Sequence, residues 1–113
     1  MKHGEIWLID LYPTQGSEIQ KKRPAIIVND DALGILPLKI VVPVTDWKDR
    51  YQLAQWMVKI SPSSENGLNK LSAADCFQVR SLSQERFIKK LGFIDDQVSD
   101  AIKNALKKIF SVN

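Results

Sequence analysis

The sequence is poor in residues that bind metals or form crosslinks. Its 113 residues include one cysteine, Cys76, and one histidine, His3. A single cysteine excludes an internal disulfide, and two such residues are too few for a structural zinc site. No cluster of Asp and Glu indicates a magnesium site. We therefore expect no metal and no cofactor, and a reducing compartment, the cytoplasm.

Long apolar runs and the common enzyme motifs are also missing. No apolar run approaches the ~20 residues that span a bilayer, and residues 1–5 are not followed by the apolar stretch of a signal peptide. The sequence has no GxGxxG, no phosphate-binding P-loop, no nucleophile elbow and no HExxH. These absences disfavour dinucleotide binding, NTP hydrolysis, serine triads and zinc proteolysis.

What the chain does have is typical of one small folded unit. Hydrophobic residues make up 44% of the sequence, which is ordinary for a globular protein and too high for a disordered one. The length predicts a single domain over residues 1–113. The formal net charge is +3 and the isoelectric point is near 9.1, a mild preference for acidic partners.

The hydrophobic pattern predicts strands followed by one helix. The expected strands are short and rich in β-branched residues, and they cover residues 5–11, 24–29, 38–45, 55–60, 71–80 and 87–94. Pro43 predicts that the third strand is an edge strand or bulged, and 81–86 is expected to turn. From Asp95 the apolar residues follow helical spacing, with Asp95 or Asp96 as the N-cap. The expected fold is a partly closed antiparallel sheet or small barrel with the helix over its open side.

Polar residues at predicted strand ends are the candidates for chemistry. Arg23 begins the second strand, Thr45 ends the third, and Gln78 and Arg80 lie at the end of a later one. A guanidinium can hold both non-bridging oxygens of a phosphodiester and stabilise the charge that grows during attack on phosphorus. Thr45 can donate to a phosphoryl oxygen, and Gln78 can read a base edge.

The same residues also have simpler interpretations. Arg23 can be a surface arginine paired with Glu5, Glu18 or Asp10. Considered without the rest of the sequence, Arg23 fits this interpretation better than a catalytic role. Thr45 can be an ordinary strand residue. A buried glutamine commonly satisfies backbone groups.

The segment 46–54 interleaves aromatic and cationic residues. Bases of single-stranded RNA stack on aromatic rings while Lys and Arg meet phosphates, so the segment is a candidate RNA-binding loop. Protein hot spots have the same composition. Its candidate contact residues are Trp47, Lys48, Arg50 and Tyr51. Trp56 is expected in the core, and Cys76 is expected to be packed rather than reactive.

Taken together, five segments resemble the MazF/PemK family of toxin–antitoxin ribonucleases, in order and at natural spacings over nearly the whole chain. The first two segments are the opening strand with its loop, and then the arginine–proline strand. The remaining three are the strand ending in threonine, a Gln-x-Arg segment, and a Leu-Gly pair before the last helix. The segments are Gly4–Leu11 with Pro13 and Gly16-Ser17-Glu18, Lys22–Val28, Val42–Thr45, Gln78–Leu82 and Leu91–Ile94.

The resemblance implies an SH3-like barrel of the CcdB/PemK type with a C-terminal helix, forming a homodimer. It implies metal-independent cleavage of single-stranded RNA in which the ribose 2′-OH attacks the adjacent phosphorus, leaving a 2′,3′-cyclic phosphate and a 5′-OH. It also implies a cognate antitoxin whose tail fills the RNA groove. Arg23 would be the main catalytic residue and Thr45 would assist, while Ser17, Gln78 and Arg80 would contact RNA.

The chain departs from the pattern of some relatives at two positions. Where they carry an acidic residue immediately before the glutamine, this chain has Phe77, and where they place a histidine in the first loop, it has Gly16, Ser17 and Glu18. Glu18 is the candidate substitute base. An arginine is a poor proton carrier because its pKa exceeds 12, so we expect Arg23 to act by electrostatic stabilisation.

Two other functions are compatible with the same fold. One is a non-enzymatic toxin that binds a protein such as DNA gyrase, as the related CcdB toxins do; the C-terminal residues 107–113 lack the tryptophan that this resemblance would require. The other is an inactive member that only binds RNA or a partner.

Overall fold

The computed structural model describes residues 1–11, 22–33 and 37–113. In these residues the chain forms strands and one C-terminal α-helix, as the sequence pattern predicts. The strands are β1 (Glu5–Asp10), β2 (Lys22–Ile27), β3 (Leu38–Asp46), β4 (Met57–Ile60), β5 (Ser72–Asp75), β6 (Arg80–Ser83) and β7 (Phe87–Phe93), and the helix is α1 (Asp96–Ile109). No helix in the described ranges is long and apolar enough to cross a membrane.

The strands form an antiparallel sheet that bends around β3. One edge of β3 pairs with β2, which continues to β1 and β7. The other edge pairs with β6 along residues 38–41 and with β5 along residues 44–46, and β4 follows beyond β5. Within the described residues no pairing joins β4 to β7, so the barrel is partly open.

Pro43 does not mark an edge strand, and that prediction is wrong. It lies in the central strand, opposite Ala25 of β2. On the other edge of β3 the neighbouring strand changes at this point: pairing with β6 ends at Val41, and pairing with β5 begins at Val44. A residue without an N–H is tolerated at this exchange point, where the ladder is already interrupted.

The sheet buries apolar side chains on both of its faces. On one face, α1 covers a core built from β1 to β5, with Ile102 and Ala105 of the helix inside it. Asp95 caps this helix by accepting the Val98 N–H at 2.8 Å. The opposite face carries a second cluster that includes Ile9, Leu11, Ala25, Ile27, Val41 and Leu82. This second face is called the outer face below, because α1 does not cover it.

Two element boundaries differ from the expected ones. The predicted strand 71–80 is broken: β5 ends at Asp75, residues 76–78 form a 3₁₀ turn, and β6 begins at Arg80. The fourth strand begins at Met57 rather than at Gln55, since residues 55–56 form a turn. Of the predicted turn 81–86, residues 84–86 are a 3₁₀ turn and 81–83 belong to β6.

Trp56 is 42% exposed, so its predicted place in the core is wrong. Its ring packs edge-on against Phe77, which is 66% exposed, with 6.0 Å between ring centroids. Cys76 is buried, as expected. Burial, together with the neighbouring Asp75 carboxylate, raises the pKa of the Cys76 thiol to about 12. A thiol with so high a pKa is not a nucleophile at neutral pH.

Candidate functional site

Arg23 and Thr45 meet at the open end of the β2–β3 pair. The register pairs Ala25 with Pro43, so extending it by two residues brings Arg23 opposite Thr45. Arg23 Nη1 donates to Thr45 Oγ1 at 3.4 Å, a long hydrogen bond, and both side chains are half-buried. The sheet therefore places a permanent cation and a hydroxyl side by side.

A cleft of about 370 Å³ opens beside this pair. Arg23, Thr45 and Lys22 line one side of it, and residues 67–70 line the other. Lys70 forms an ion pair with Asp46 across 3.3 Å, and Asp46 also lines the cleft. Three of the lining residues are cations and one is an anion, so the cleft suits an anionic ligand.

The wall formed by residues 61–70 is fixed by buried contacts. Asn66 is 5% exposed, and its Oδ1 accepts from the backbone N–H groups of Ser63 and Leu68, each at 3.0 Å. Phe93 of β7 donates its N–H to the Glu65 carbonyl at 3.0 Å. These bonds hold the loop against β7, so the cleft has a preformed wall.

Gln78 lies in the 3₁₀ turn rather than at a strand end, and this turn brings it to Asp75. Gln78 Nε2 donates to Asp75 Oδ2 at 3.2 Å, and the Phe77 N–H donates to Asp75 Oδ1 at the same distance. Asp75 is 7% exposed. The sequence prediction missed this carboxylate because it considered only the residue immediately before Gln78. A 3₁₀ turn instead brings together residues that are three apart. The i to i+3 spacing was the available signal.

Burial raises the pKa of Asp75 above its ordinary 3.8, although its hydrogen bonds from Gln78 and Phe77 act in the opposite direction. Its contribution to stability is therefore full below pH 3.8 and is lost as the pH rises through the raised pKa. A carboxylate with a raised pKa is also a better proton acceptor than an exposed one.

Two of the remaining candidates share the outer face with Arg23 and Thr45. Side chains of directly paired residues point to one side of a sheet, and residues two apart along a strand share a side. By this rule Arg23, Thr45, Asp75 and Arg80 all belong to the outer face, because Arg80 pairs with Val41. Arg80 is four residues along β3 from Thr45, or about 13 Å. The backbone of Arg80 is therefore well separated from that of Thr45.

Part of the aromatic and cationic loop is ordered around Trp47. Its ring makes an edge-on contact with Tyr51 at 5.9 Å between centroids, and Arg50 lies over the Tyr51 ring at 5.4 Å. Residues 49–53 form a 3₁₀ turn, which places these side chains together. Lys48 is exposed. Ser17 and Glu18 fall outside the residues that the structure describes.

Glu5, one of the expected ion-pair partners of Arg23, has other partners. It pairs with Lys90 at 3.1 Å and accepts from Trp7 Nε1 at 2.9 Å. Burial raises its pKa, but the hydrogen bonds from Trp7, Lys2 and Lys90 outweigh burial and hold the pKa at about 2. Glu5 thus links β1 to β7, and its carboxylate is engaged there rather than with Arg23.

The groove beside α1 offers no second anion site, and the described residues offer no metal site. This larger groove of about 780 Å³ lies between α1 and β4, and its charged lining residues are Lys59, Lys108, Glu65 and Asp95. Its charges are mixed, so it shows no preference for an anion. In the part of the chain that the structure describes, no three His, Cys, Asp or Glu side chains gather as metal ligands.

Comparison with known proteins matches the chain to one family. The model described as "PemK-like, MazF-like toxin of type II toxin-antitoxin system" matches residues 2–110. The endoribonuclease MazF9 of Mycobacterium tuberculosis is 31% identical over 113 residues, covering 95% of this chain and 93% of that protein. The endoribonuclease PemK of Escherichia coli is 30% identical, covering 98% of this chain and 83% of that protein.

Solved structures share the fold at lower identity. MazF from Deinococcus radiodurans superposes with a TM-score of 0.82 at 19% identity, covering 99% of this chain and 97% of that one. A mycobacterial endoribonuclease in complex with its cognate antitoxin superposes with a TM-score of 0.79 at 17% identity, covering 100% of this chain and 97% of that one. The fold of this chain is therefore the fold of these structures.

Proposed function

The chain belongs to the PemK-like and MazF-like toxin family of type II toxin–antitoxin systems, and from this membership we infer that it is the toxin of such a system and an endoribonuclease. The observation that carries the proposal is the contact between Arg23 and Thr45 at the rim of an anion-compatible cleft. The substrate is single-stranded RNA, whose phosphates fit such a cleft and whose unpaired bases remain available to side chains.

In the proposed reaction the ribose 2′-oxygen attacks the adjacent phosphorus while the bond from phosphorus to the 5′-oxygen breaks. The 2′-OH proton passes to a base, and the departing 5′-oxygen takes up a proton. The products are a 2′,3′-cyclic phosphate and a 5′-OH. Arg23 stabilises the extra negative charge on the phosphoryl oxygens, and Thr45 donates a hydrogen bond to one of them. No metal takes part in this scheme.

Asp75 is the proposed proton acceptor, alongside the earlier candidate Glu18. Asp75 shares the outer face with Thr45 and lies one strand away from it. Thr45 pairs with Ala73, and Asp75 lies two residues further along β5 on the same face. Asp75 is therefore a diagonal neighbour of Thr45, about 7–8 Å away. Its raised pKa suits a base. Gln78 orients the carboxylate through its hydrogen bond to Oδ2.

We expect Asp75→Asn to lower kcat by about 100-fold or more, which is a typical contribution of a general base. In the unsubstituted protein, kcat should fall as the pH drops through the raised pKa of Asp75. The Asn variant should lose this acidic limb, while Glu18→Gln should keep it. A pH–rate profile of the three proteins checks this. An acidic limb that persists in Asp75→Asn and disappears in Glu18→Gln would transfer the role to Glu18.

The proposed partners follow from the same family. The antitoxin of this system is a protein, as in the mycobacterial relative solved with its cognate antitoxin. We propose a homodimer, with Ser17, Trp47, Lys48, Arg50, Tyr51, Gln78 and Arg80 contacting the RNA. Since the substrate is cellular RNA, the proposed location is the cytoplasm.

The proposal is tested with purified protein and a long single-stranded RNA of mixed sequence, in the presence of EDTA. We expect cleavage at a small set of sequences, with 5′-OH ends that a polynucleotide kinase labels directly and 3′ ends that an RNA ligase accepts only after the cyclic phosphate has been removed. A matched DNA should remain intact because it lacks the 2′-OH. Cleavage that requires added Mg²⁺, or that leaves 5′-phosphates, would contradict the scheme.

A further inference from the structure

The outer face carries a row of side chains that extends from the Arg23–Thr45 pair toward β4. The register pairs Thr45 of β3 with Ala73 of β5, and Ala73 with Lys59 of β4. With Arg23 opposite Thr45, the row reads Arg23, Thr45, Ala73, Lys59 across four adjacent strands. Three inter-strand spacings of about 4.8 Å put the backbones of Arg23 and Lys59 about 14 Å apart.

Lys59 reaches back over the aromatic ring of Trp47. Its Nζ lies 5.0 Å from the ring centroid, a cation–π contact. The Trp47 ring also makes an edge-on contact with Tyr51, and the backbone N–H of Trp47 donates to the Leu71 carbonyl at 3.1 Å. The ring and the ammonium group are therefore fixed together before any ligand binds, which reduces the entropy lost on binding.

We propose that Lys59 and Trp47 form a second RNA subsite, in which Trp47 stacks on a base and Lys59 binds a phosphate a few nucleotides from the scissile bond. The inference rests on the proposed function, since it takes the Arg23–Thr45 pair as the reaction centre. At about 3.4 Å per stacked nucleotide, 14 Å corresponds to roughly four nucleotides, and to fewer when the strand is extended. Lys59 belongs to none of the segments that resemble the family.

The charges around the row favour a nucleic acid over a protein. Lys59 is exposed, and among the described residues no carboxylate forms an ion pair with it. Arg50 adds a second cation at the Tyr51 ring. An aromatic ring beside cations is the combination that single-stranded nucleic acids use, since each nucleotide offers a flat base and a negative phosphate.

The test compares Lys59→Gln and Trp47→Leu with Lys103→Gln, a control that removes an exposed lysine from α1. The substrates are oligonucleotides built around a mapped cleavage site. One has a single nucleotide on each side, and two others are extended by five nucleotides on the 5′ or on the 3′ side. A fourth probe is an extended oligonucleotide with a 2′-deoxy sugar at the scissile nucleotide. It measures binding without cleavage, because the attacking hydroxyl is missing.

We expect each subsite variant to lower kcat/KM about 10-fold on the substrate extended on one side, and to leave the shortest substrate unchanged. The double variant should lose less than the product of the two single losses, because the two residues act as a unit. Lys59→Gln should also reduce the slope of log K against log salt by about 0.7, the value for one phosphate contact to a single strand. The control should match the unsubstituted protein throughout.

The outcomes separate this inference from the proposed function. If the unsubstituted protein cleaves RNA and both variants match it on every substrate, the subsite is refuted and the nuclease stands. If no RNA is cleaved, binding is measured instead with the mixed-sequence single-stranded RNA; weaker binding by Lys59→Gln than by Lys103→Gln then leaves the RNA contact standing and refutes the reaction. Equal losses on short and long substrates, or loss of antitoxin binding with RNA binding intact, would assign Lys59 and Trp47 to a different role.

Discussion

Arg23→Ala should cleave RNA about 100- to 1000-fold more slowly than the unsubstituted protein. This is the usual loss when one donor aimed at a developing oxyanion is removed. The cleft keeps Lys22 and Lys70, so RNA binding should weaken far less than kcat. Single-turnover cleavage with saturating protein measures the chemical step without the contribution of binding.

Three matched variants separate the contributions of the Arg23 charge, the geometry of its donors and the Thr45 hydroxyl. Arg23→Lys keeps the charge but loses the planar fork of donors, so it should recover only a small part of the rate. Thr45→Val removes one neutral hydrogen bond and should slow cleavage roughly 10-fold, while Thr45→Ser should be near normal. The fold should persist in all of them, because β2 and β3 pair through their backbones, and circular dichroism checks this. Full activity in Arg23→Ala would refute the assigned role.

The second large effect concerns the close contact between the 61–70 loop and β7. A Cβ added at Gly67 would lie far inside van der Waals contact with the Leu91 carbonyl, and one added at Gly92 would meet the Glu65 carbonyl in the same way. Gly67 also has φ +67°, a conformation that disfavours an L side chain. Gly67→Ala should therefore destabilise the protein by about 3 kcal/mol or more, combining overpacking with backbone strain.

The glycines of this chain offer a graded series. Gly92→Ala adds the clash without the strain. Gly4→Ala adds the strain with only an ordinary contact, since its φ is +86° and the nearest neighbouring atom, on the Ile94 side chain, would be 3.7 Å from the new Cβ. We expect the loss of stability to decrease from Gly67 to Gly92 to Gly4. Thermal denaturation measures it, with a drop of roughly 10 °C for Gly67→Ala. Equal midpoints for Gly67→Ala and Gly4→Ala would show that the loop does not pack as described.

Gly67→Ala should also reduce cleavage at temperatures where the protein is still folded. Gly67 and residues 68–70 form the wall opposite Arg23 and Thr45, so moving the loop changes the shape of the cleft. Gly4 lies at the other end of the sheet, bonded to Ile27 and Ile94, and its alanine variant should retain activity. A comparison of kcat/KM well below both midpoints separates the local effect from loss of folded protein.

Much of the fold was predictable because it depends on local pattern. The helical spacing after Asp95 and its capping residue predicted α1 within a residue, and runs of β-branched residues predicted β1, β2 and β3 closely. Strand partners and strand breaks depend on contacts between distant residues. This is why Pro43 was misplaced at an edge, and why the break at residues 76–78 between β5 and β6 was missed.

The sequence by itself determined which groups are available: Arg23 beside a proline, Thr45 at the end of a strand, and the loop of aromatic and cationic residues at 46–54. Their order along the chain was enough to indicate the family. Only the tertiary structure decided which of them meet. Sheet register, which is a long-range property, places Arg23 against Thr45 and aligns Lys59 with these two residues across four strands. The break between β5 and β6 forms the 3₁₀ turn that brings Gln78 to Asp75.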